Sequence, residues 1–390
     1  MSNFDNTKIS YIAHEHLSLK NRLDYYIDYL INKKWTVEYW DLLPLLHGEI
    51  DEFGSQDADF LHTPLTYNEI ETMLSLPENK DAIYIILINY GPNYLRLYRL
   101  LTKYDCKIHF FAWGAFPSSS RESKWMKIVH HFPTPLTLIN KSFNTINCFV
   151  HKKLKLVKPF DVVYGAGSVI LKAFSDASKL VSVNIVDYDH YVKIKTQTQS
   201  YVVGSYAVFL DSYVTHHPDL EILSLPKLNP DKYFKSLNHF FELLENKYEI
   251  KIVIAAHPKA NYINNPFEGR EIYSGLTPEL VAKADFIVSQ HSTSVSYAVL
   301  NLKPIIFVYT SIMEKIYKKA RNQIVEGIIL RANYLKSSVY DIDEITQEEQ
   351  IVIEDVNLDC YENYKYSFLT SRESEHTTLQ ELFWREINDQ

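Results

Sequence analysis

The stretch IKIVIAAHPKANY, residues 250–262, joins a buried strand to a polar turn. Its first half is a run of β-branched residues, which favours a strand buried on both faces of a parallel sheet. The run stops at two alanines and gives way to His257, Pro258 and Lys259. Because Pro258 fixes its own φ and keeps the preceding residue extended, the imidazole of His257 has a defined direction. The pattern predicts a histidine and a cation at the carboxyl end of a strand, where open α/β sheets bind ligands.

Short apolar runs alternate with amphipathic helical patterns on both sides of this stretch. The runs that predict strands include KISYIAH (8–14), AIYIILINY (82–90), FDVVYGAGS (160–168), YAVFLD (206–211), DFIVSQ (285–290) and KPIIFVYT (303–310). This alternation is typical of α/β proteins with parallel sheets. We expect two Rossmann-like domains with a cleft between them, at residues 1–200 and 201–355. A helical segment, 356–390, is expected to pack back on the first domain.

The composition indicates a folded protein of a reducing compartment. Of 390 residues, 46% are apolar and 23% charged, as in globular proteins. The net charge of -8 argues against nucleic acid as a partner. Three widely spaced cysteines give neither a disulfide framework nor a zinc pattern. The first ten residues lack the layout of a signal peptide, and no apolar stretch approaches the roughly 18 residues of a membrane span. We therefore expect a cytoplasmic protein, at most peripheral to the inner membrane.

A lysine-rich run offers one route to such peripheral contact. HKKLKLVKPF (151–160) places Lys152, Lys153, Lys155 and Lys158 among apolar residues. Lysines near an anionic bilayer are attracted to its surface, so the run suits an anionic membrane or an acidic glycan. A solvated edge of the fold is the alternative.

A second polar cluster follows another predicted strand. His291, Ser292, Thr293 and Ser294 come directly after DFIVSQ and precede a helical pattern. Hydroxyls at a helix start either cap free N–H groups or, with the helix dipole, help to bind an anion. Two such clusters at strand ends favour a shared phosphate site. Neither GxGxxG nor P-loop spacing occurs, which argues against nicotinamide and flavin enzymes and leaves a nucleotide or nucleotide sugar as ligand.

The segments HPKA (257–260) and SQHSTSVSYAVLNLKPIIF (289–307) resemble the His-Pro and Ser/Thr motifs of bacterial GT-B glycosyltransferases that use CMP-activated sugars. That group includes sialyltransferases, polysialyltransferases and Kdo transferases. The resemblance implies a GT-B-like fold, with the acceptor on the first domain and the CMP-sugar on the second. It also implies that His257, Ser292, Thr293 and Ser294 hold the CMP phosphate. The function implied is transfer of Kdo or a related nonulosonic acid to lipopolysaccharide or capsule.

CMP-sugar chemistry needs no cofactor other than the donor substrate itself. The leaving group is a monophosphate, so no pyrophosphate has to be clamped and no metal ion is required. Its departing charge can be met by His257, Lys259 and a helix N-terminus. Pro258, also predicted to line the donor site, fixes the turn that carries the histidine. We therefore expect a metal-independent reaction with a glycan or lipid-linked glycan as acceptor.

Asp211, in AVFLDSYVTHHPDL (207–220), is the predicted catalytic carboxylate, together with His257 as a catalytic histidine. Asp211 ends an apolar strand, where a site residue is expected. A carboxylate that attacks the sugar gives retention of configuration, and one that only takes the acceptor proton gives inversion. The alternative for Asp211 is a strand-terminating cap of the next turn, and Asp219 and Asp231 compete for the catalytic role.

Three further positions are weaker candidates. Arg270 follows the His-Pro turn and suits either the sugar carboxylate or the protein surface. Gly165 and Ser168, in the GAGS turn, would allow an acceptor to approach closely or would serve only as a turn. The HEH triplet (14–16) follows the first strand and is expected to face the cleft. As a metal site it is weak, because its two histidines diverge on a strand.

Two alternative functions stay open at this point. One is a GT-B transferase that uses a UDP- or GDP-sugar, or a nucleotide-sugar epimerase of the same fold. Such enzymes need a diphosphate site, usually with glycine-rich loops, which the chain lacks. The other is a non-catalytic subunit of glycan assembly that retains the fold.

Overall fold

The computed structural model of the protein describes residues 8–48, 56–117, 147–195, 199–217, 220, 225–319 and 323–389. The described chain forms two compact units. The first comprises residues up to 114, then 147–183 and 373–389, and the second comprises 115–117 and 184–372.

A seven-stranded parallel sheet forms the centre of the first unit. Its strands are β1 (Lys8–Ala13), β2 (Thr36–Asp41), β3 (Leu61–His62), β4 (Ile83–Ile86), β5 (Lys107–Trp113), β6 (Val162–Ala166) and β7 (Lys179–Val183). Their spatial order is β3-β2-β1-β4-β5-β6-β7, with every neighbouring pair parallel. The chain thus reverses its direction of winding between β1 and β4. Such a reversal leaves a crevice at the carboxyl ends of the two strands.

Short helices connect these strands. They are α1 (Leu19–Asp24), α2 (Ile27–Asn32), α3 (Leu43–His47), α4 (Tyr67–Leu74), α5 (Leu95–Lys103) and α6 (Gly167–Ala173). Residues 147–153 are also helical. The start of α4 shows how the sequence caps these helices. The Thr66 side chain accepts a hydrogen bond from the N–H of Glu69, which satisfies one of the free donors of a first turn.

A six-stranded parallel sheet forms the centre of the second unit. Its strands are β8 (Tyr206–Leu210), β9 (Lys251–Ala255), β10 (Ile272–Tyr273), β11 (Ile287–Ser289), β12 (Ile305–Tyr309) and β13 (Ser338–Asp341). The order β10-β9-β8-β11-β12-β13 repeats the logic of the first sheet, and here the winding reverses between β8 and β11. The helices are α7 (Val186–Ile194), α8 (Pro230–Tyr248), α9 (Thr277–Lys283), α10 (Val295–Leu300), α11 (Ser311–Lys319), α12 (Ile324–Leu335) and α13 (Leu358–Tyr364).

Helix α8 illustrates how the sequence builds this unit. The Asn229 side chain caps it by accepting the N–H of Lys232, and Pro230 occupies its first turn, where a missing N–H costs nothing. Leu237 and Phe240 on its inner face are fully buried in the core. Burial of one such side chain stabilises the fold by roughly 1.5–3 kcal/mol, so the apolar face fixes the helix on the sheet.

The last helix of the chain, α14 (Leu379–Asn388), belongs to the first unit. Its Phe383 packs edge-on against Tyr164 of β6, with ring centroids 5.4 Å apart. The ammonium of Lys179, at the start of β7, lies 2.6 Å from a carboxylate oxygen of Glu386. Aromatic packing and one ion pair thus hold the final helix against the β6–β7 side of the sheet.

The prediction of two α/β domains with parallel sheets is confirmed, but the division between them differs from the expected boundary at residue 200. The units divide after residue 183, because α7 packs against α9 and α10 of the second unit. The carboxylate of Asp187 accepts hydrogen bonds from the hydroxyls of Ser296 and Tyr297. Residues 356–372, expected to join the first domain, also lie in the second unit. These contacts connect residues about 110 apart in sequence, which local patterns do not reveal.

Candidate functional site

Three polar segments leave the sheet of the second unit at its point of reversed winding. Leu210, the last residue of β8, pairs with Ala255 of β9 on one side and with Ser289 of β11 on the other. The loops that follow these residues therefore start side by side. They carry the predicted site residues Asp211, His257, Pro258, Lys259, Ser292, Thr293 and Ser294. The structure thus brings the two sequence clusters to the same edge of one sheet.

Asp211 fastens two of these loops together. Its side chain is 95% buried, with 5% of the residue exposed. One carboxylate oxygen accepts the N–H of Tyr213 at 2.8 Å, and the other accepts the Tyr262 hydroxyl at 2.8 Å and the N–H of His257 at 3.3 Å. Burial raises the pKa of Asp211 above its ordinary value, while these hydrogen bonds and the nearby His217 act in the opposite direction.

This geometry corrects the catalytic role predicted for Asp211. Both carboxylate oxygens already accept protein donors, and the group is nearly inaccessible, so neither oxygen is presented to a sugar carbon or an acceptor hydroxyl. We assign Asp211 a positioning role, close to the structural alternative that the sequence left open. Of its competitors, Asp231 lies in the first turn of α8, next to the cap Asn229. Asp219 lies outside the described residues.

His257 is held in a tight turn with its ring in one tautomer. Its Nδ1 accepts the N–H of Lys259 at 3.1 Å, and its carbonyl accepts the N–H of Ala260 at 2.8 Å. Because Nδ1 is an acceptor here, a neutral ring carries its proton on Nε2, which can donate to a ligand. Pro258 and Lys259 are exposed. The turn therefore places the imidazole of His257 and the ammonium group of Lys259 at the sheet edge.

The side chain of Ser294, in the 292–294 loop, does not cap helix α10. Ser294 occupies the cap position of α10, but its side chain makes no capping hydrogen bond. The hydroxyl of Ser292 accepts the N–H of Ser294 at 3.3 Å, and Thr293 is exposed. A plain N-cap, the alternative drawn from the sequence, is therefore not what Ser294 forms.

Arg331, in α12, lies behind this loop and was missed by the sequence reasoning. It is 2% exposed, and its Nη1 donates to the carbonyl of Ser292 at 2.8 Å. The ring of the neighbouring His291 packs over Gly327, although the residue as a whole is exposed. Burial of the ring and the charge of Arg331 lower the pKa of His291 to about 4. An arginine within the apolar helix IVEGIILRANYL (324–335) is the signal that sequence reading could have used.

Arg270 does not belong to the site, which corrects its predicted role toward a sugar carboxylate. Its guanidinium forms a two-pronged pair with Glu245, with distances of 3.0 and 2.6 Å. A third hydrogen bond reaches the side-chain oxygen of Asn238 at 3.2 Å, and the guanidinium also lies over the ring of Phe241. Arg270 therefore links β10 to α8 inside the unit.

The first unit carries a histidine–carboxylate pair at its own point of reversed winding. His16 follows β1, and its Nδ1 lies 2.6 Å from Oδ2 of Asp41, the last residue of β2. Asp41 is 1% exposed, and its other oxygen accepts the N–H of Leu43. Because a carboxylate only accepts, Nδ1 carries the proton and Nε2 is the basic nitrogen of a neutral ring. The sequence pointed to the HEH triplet but missed Asp41, whose place at the end of a strand was the available signal.

Gly165 is explained by packing, which corrects its proposed role on the acceptor side. It lies within β6, and a Cβ there would be 2.8 Å from Cγ2 of Ile170 and 3.1 Å from Cδ2 of Leu171. The glycine lets α6 approach the sheet closely. Ser168, proposed for the same role, is exposed in the first turn of α6.

Of the four lysines in the lysine-rich run, two form ion pairs within the protein and the other two are exposed. The ammonium of Lys158 donates to the carbonyl of Cys106 at 2.8 Å and lies 3.0 Å from Asp161. It therefore secures the fold rather than a surface contact, which corrects its predicted role. Lys152 pairs with Asp176 at 3.1 Å but stays half exposed. The remaining two, Lys153 and Lys155, are exposed.

Apolar side chains are exposed beside these lysines. Phe149 is 64% exposed and Leu154 is 63% exposed. A cavity of about 890 Å³ lies between α5 and other residues of this segment, among them Asn147, His151 and Lys155. Its α5 wall presents Arg96, Arg99 and Lys103, spaced three and four residues apart and so on one helix face. Within the described chain, this surface combines basic and apolar groups.

Two kinds of feature are absent from the described residues. No helix among them is both long enough and apolar enough to cross a bilayer. No group of three or more histidine, cysteine, aspartate or glutamate side chains in that part of the chain is arranged to hold a metal ion.

Comparisons with known proteins leave the activity to be argued from these residues. No protein-family model matches the chain, and no curated protein matches it. Solved structures that align with it include a glycotransferase of kitacinnamycin, with 9% identity, 98% of this chain and 99% of that chain covered, and a TM-score of 0.48. The calicheamicin glycosyltransferase aligns at 9% identity over 98% and 94%, with a TM-score of 0.45. UDP-GlcNAc 2-epimerase from Methanocaldococcus jannaschii, in complex with UDP-GlcNAc and UDP, aligns at 11% identity over 99% and 100%, with a TM-score of 0.46.

Proposed function

We propose that the protein is a glycosyltransferase that moves Kdo or a related nonulosonic acid from its CMP form to a bacterial surface glycan. One observation carries this proposal. The His-Pro turn and the 292–294 loop start side by side at the reversal point of the second sheet, and Asp211 ties the turn to β8. Such a point is where α/β proteins bind nucleotides, and its donors suit a single phosphate.

The donor phosphate would be bound by groups from both loops. Nε2–H of His257, the ammonium of Lys259 and the hydroxyls of the 292–294 loop are all hydrogen-bond donors. Hydrogen bonds to a charged group contribute roughly 1.5–3 kcal/mol each. Three of them approach the roughly 7 kcal/mol that corresponds to a dissociation constant of about ten micromolar. A single phosphate therefore suffices, and the step we propose uses no metal ion.

In the reaction, an acceptor hydroxyl attacks the anomeric carbon as the bond from that carbon to the phosphate oxygen breaks. CMP leaves with the electron pair of that bond. A general base takes the hydroxyl proton, and our candidate for that base in the first unit is His16, whose ring is held by Asp41. The step that we propose forms no covalent intermediate, so the displacement is single and the anomeric configuration inverts.

Thermal stabilisation by nucleotides tests the donor assignment. A ligand at a hundredfold excess over its dissociation constant adds about 2.7 kcal/mol to the free energy of unfolding. We expect CMP to raise the melting temperature, UMP, UDP and GDP to have little effect, and His257→Ala to abolish the CMP response. His239→Ala, at an exposed histidine on α8, is the matched control. A response to UDP or GDP instead would favour the other nucleotide-sugar enzymes, and no response to any nucleotide would favour a non-catalytic subunit.

We further propose that the first unit contacts an anionic membrane, where lipid-linked acceptors reside. Exposed Phe149 and Leu154 lie beside basic side chains, and a bilayer surface accommodates both kinds of group. We expect co-sedimentation with vesicles that contain phosphatidylglycerol and not with phosphatidylcholine alone. The double variant Phe149→Ser/Leu154→Ser should lose this binding. Val203→Ser, at an 88% exposed position of the second unit, should keep it. Equal sedimentation of both variants with the vesicles would contradict the contact.

A further inference from the structure

Arg331 is a buried cation without a carboxylate partner in the described chain. The residue is 2% exposed. Its contacts are the hydrogen bond to the carbonyl of Ser292 and the ring of Phe116, whose centroid lies 5.0 Å from the guanidinium carbon. Burial lowers the pKa of Arg331, and Tyr364 acts in the opposite direction. Arg270, by contrast, is paired with Glu245 through two hydrogen bonds.

An uncompensated buried charge is costly. The penalty for removing an ion from water is several kcal/mol, even after the protein relaxes around it. One carbonyl and one aromatic face satisfy only part of a guanidinium that has five N–H donors. The missing counter-charge is therefore expected from a ligand.

The position of the guanidinium indicates where that ligand binds. Nη1 reaches the carbonyl of Ser292 at 2.8 Å, so the charge lies behind the 292–294 loop. The adjacent His291 is neutral at pH 7, since its pKa lies near 4. The positive potential on this side of the loop thus comes from Arg331. The side chain of Arg331 also fixes the carbonyl that begins the loop.

We propose that Arg331 is the buried cation of an anion subsite at the 292–294 loop, and that the phosphate of the bound nucleotide is its counter-charge. This inference rests on the proposed function for the place of the phosphate, but not for the identity of the base. It predicts that Arg331 discriminates between a nucleotide and the same nucleoside without phosphate. A residue that only supports the loop would affect both ligands alike.

The test is calorimetric titration of CMP and cytidine into the wild type, Arg331→Lys and Arg331→Met. One lost charged hydrogen bond corresponds to about a 10- to 100-fold loss of affinity. We expect Arg331→Met to lose that much for CMP and to leave cytidine binding unchanged, with Arg331→Lys in between. Arg270→Lys, at a paired arginine of the same unit, should change neither the affinity for CMP nor the affinity for cytidine. Without ligand, Arg331→Met should melt no lower than the wild type, because an unpaired buried charge has been removed.

The outcomes separate this inference from the donor assignment. If the wild type binds UDP rather than CMP, and the Arg331 variants weaken UDP but not uridine, the CMP proposal fails and the anion subsite stands. Equal losses for nucleotide and nucleoside would overturn the subsite, as would an unchanged nucleotide affinity in Arg331→Met. If Arg331→Met fails to fold, Arg331→Lys provides the test, through its affinity for the nucleotide relative to its affinity for the nucleoside. If no nucleotide binds, we expect inorganic phosphate to raise the melting temperature of the wild type, to raise that of Arg331→Lys less, and to leave that of Arg331→Met unchanged. An equal rise in all three proteins, or no rise in any of them, would overturn the subsite.

Discussion

At the scale of single residues, Asp211 has the clearest role, because it accepts three hydrogen bonds from two loops. In Asp211→Asn an amide N–H₂ would face the N–H of His257, so one acceptor is lost. We expect a loss of about 1–2 kcal/mol in the free energy of unfolding and a higher KM for the donor. The turnover number should fall much less than for loss of a nucleophile. Urea unfolding and release of CMP would measure both.

Tyr262→Phe provides the control for this prediction, since it removes one donor to Asp211 and leaves the carboxylate in place. Its effects should have the same direction and be smaller. A fall of a thousandfold or more in the turnover number of Asp211→Asn, at unchanged KM and stability, would contradict the positioning role and restore Asp211 as a catalytic group.

His291 gives a pH-dependent contribution to stability whose sign follows from its pKa. That pKa is lowered to about 4 in the folded protein, from an ordinary value of 6.5. Between these values the unfolded chain binds more protons, so the free energy of unfolding falls as the pH drops from 6.5 to 4. His291→Asn should therefore flatten the dependence in this window. Urea unfolding at pH 7.0, 5.5 and 4.5 measures it, and equal slopes in the variant and the wild type would refute the assignment.

At the scale of elements, the ends of β1 and β2 bring His16 and Asp41 together although 25 residues separate them. His16→Ala should lower the turnover number by roughly 10²- to 10⁴-fold, as for other general bases. Asp41→Asn should act in the same direction, because the amide no longer fixes the tautomer. CMP affinity should stay unchanged in both, which calorimetry would check. His14→Ala, in the same turn, is the control. An equal loss of turnover in His14→Ala would indicate that both histidines only maintain the conformation of the turn, and it would contradict the role of His16 as a base.

The contact between β6 and α6 predicts a purely structural role for Gly165. In Gly165→Ala the added methyl group would lie 2.8 Å from Ile170, so the helix must shift. We expect a loss of about 1–3 kcal/mol in the free energy of unfolding and an unchanged KM for the acceptor in the molecules that fold. Ser168→Ala, an exposed neighbour, should have little effect on stability. An acceptor KM raised by Gly165→Ala at unchanged stability would restore the acceptor role.

Local patterns predict the elements better than they predict the site. The β-branched residues of KIVIA (251–255) favour a buried strand, and the alternation of such runs with helical patterns predicts the α/β architecture. The donors to Asp211 come from residues 2, 46 and 51 positions away, and no spacing rule reveals that they converge. The pairing of Arg270 with Glu245 and the isolation of Arg331 also depend on tertiary packing. Sequence reasoning therefore found the loops, but the hydrogen-bond partners of Asp211 and Arg270 became apparent only from the structure.

At the scale of the whole molecule, the two units share one design. Each has a parallel sheet whose winding reverses once, and each presents a histidine close to that reversal. In the second unit the histidine lies beside hydroxyls and cations, which suit a phosphate. In the first unit it pairs with a carboxylate, which suits proton transfer. Each unit is therefore described by the chemistry of its own reversal point.

The most direct test of the central claim is saturation-transfer NMR on an equimolar mixture of CMP-Kdo, CMP-sialic acid, UDP-GlcNAc and GDP-mannose. Competition in one tube removes differences in protein stability between samples. We predict saturation of cytidine and nonulosonic acid protons only, lost in His257→Ala and kept in His239→Ala. Saturation of uridine or guanosine protons in place of cytidine would contradict a CMP-sugar donor.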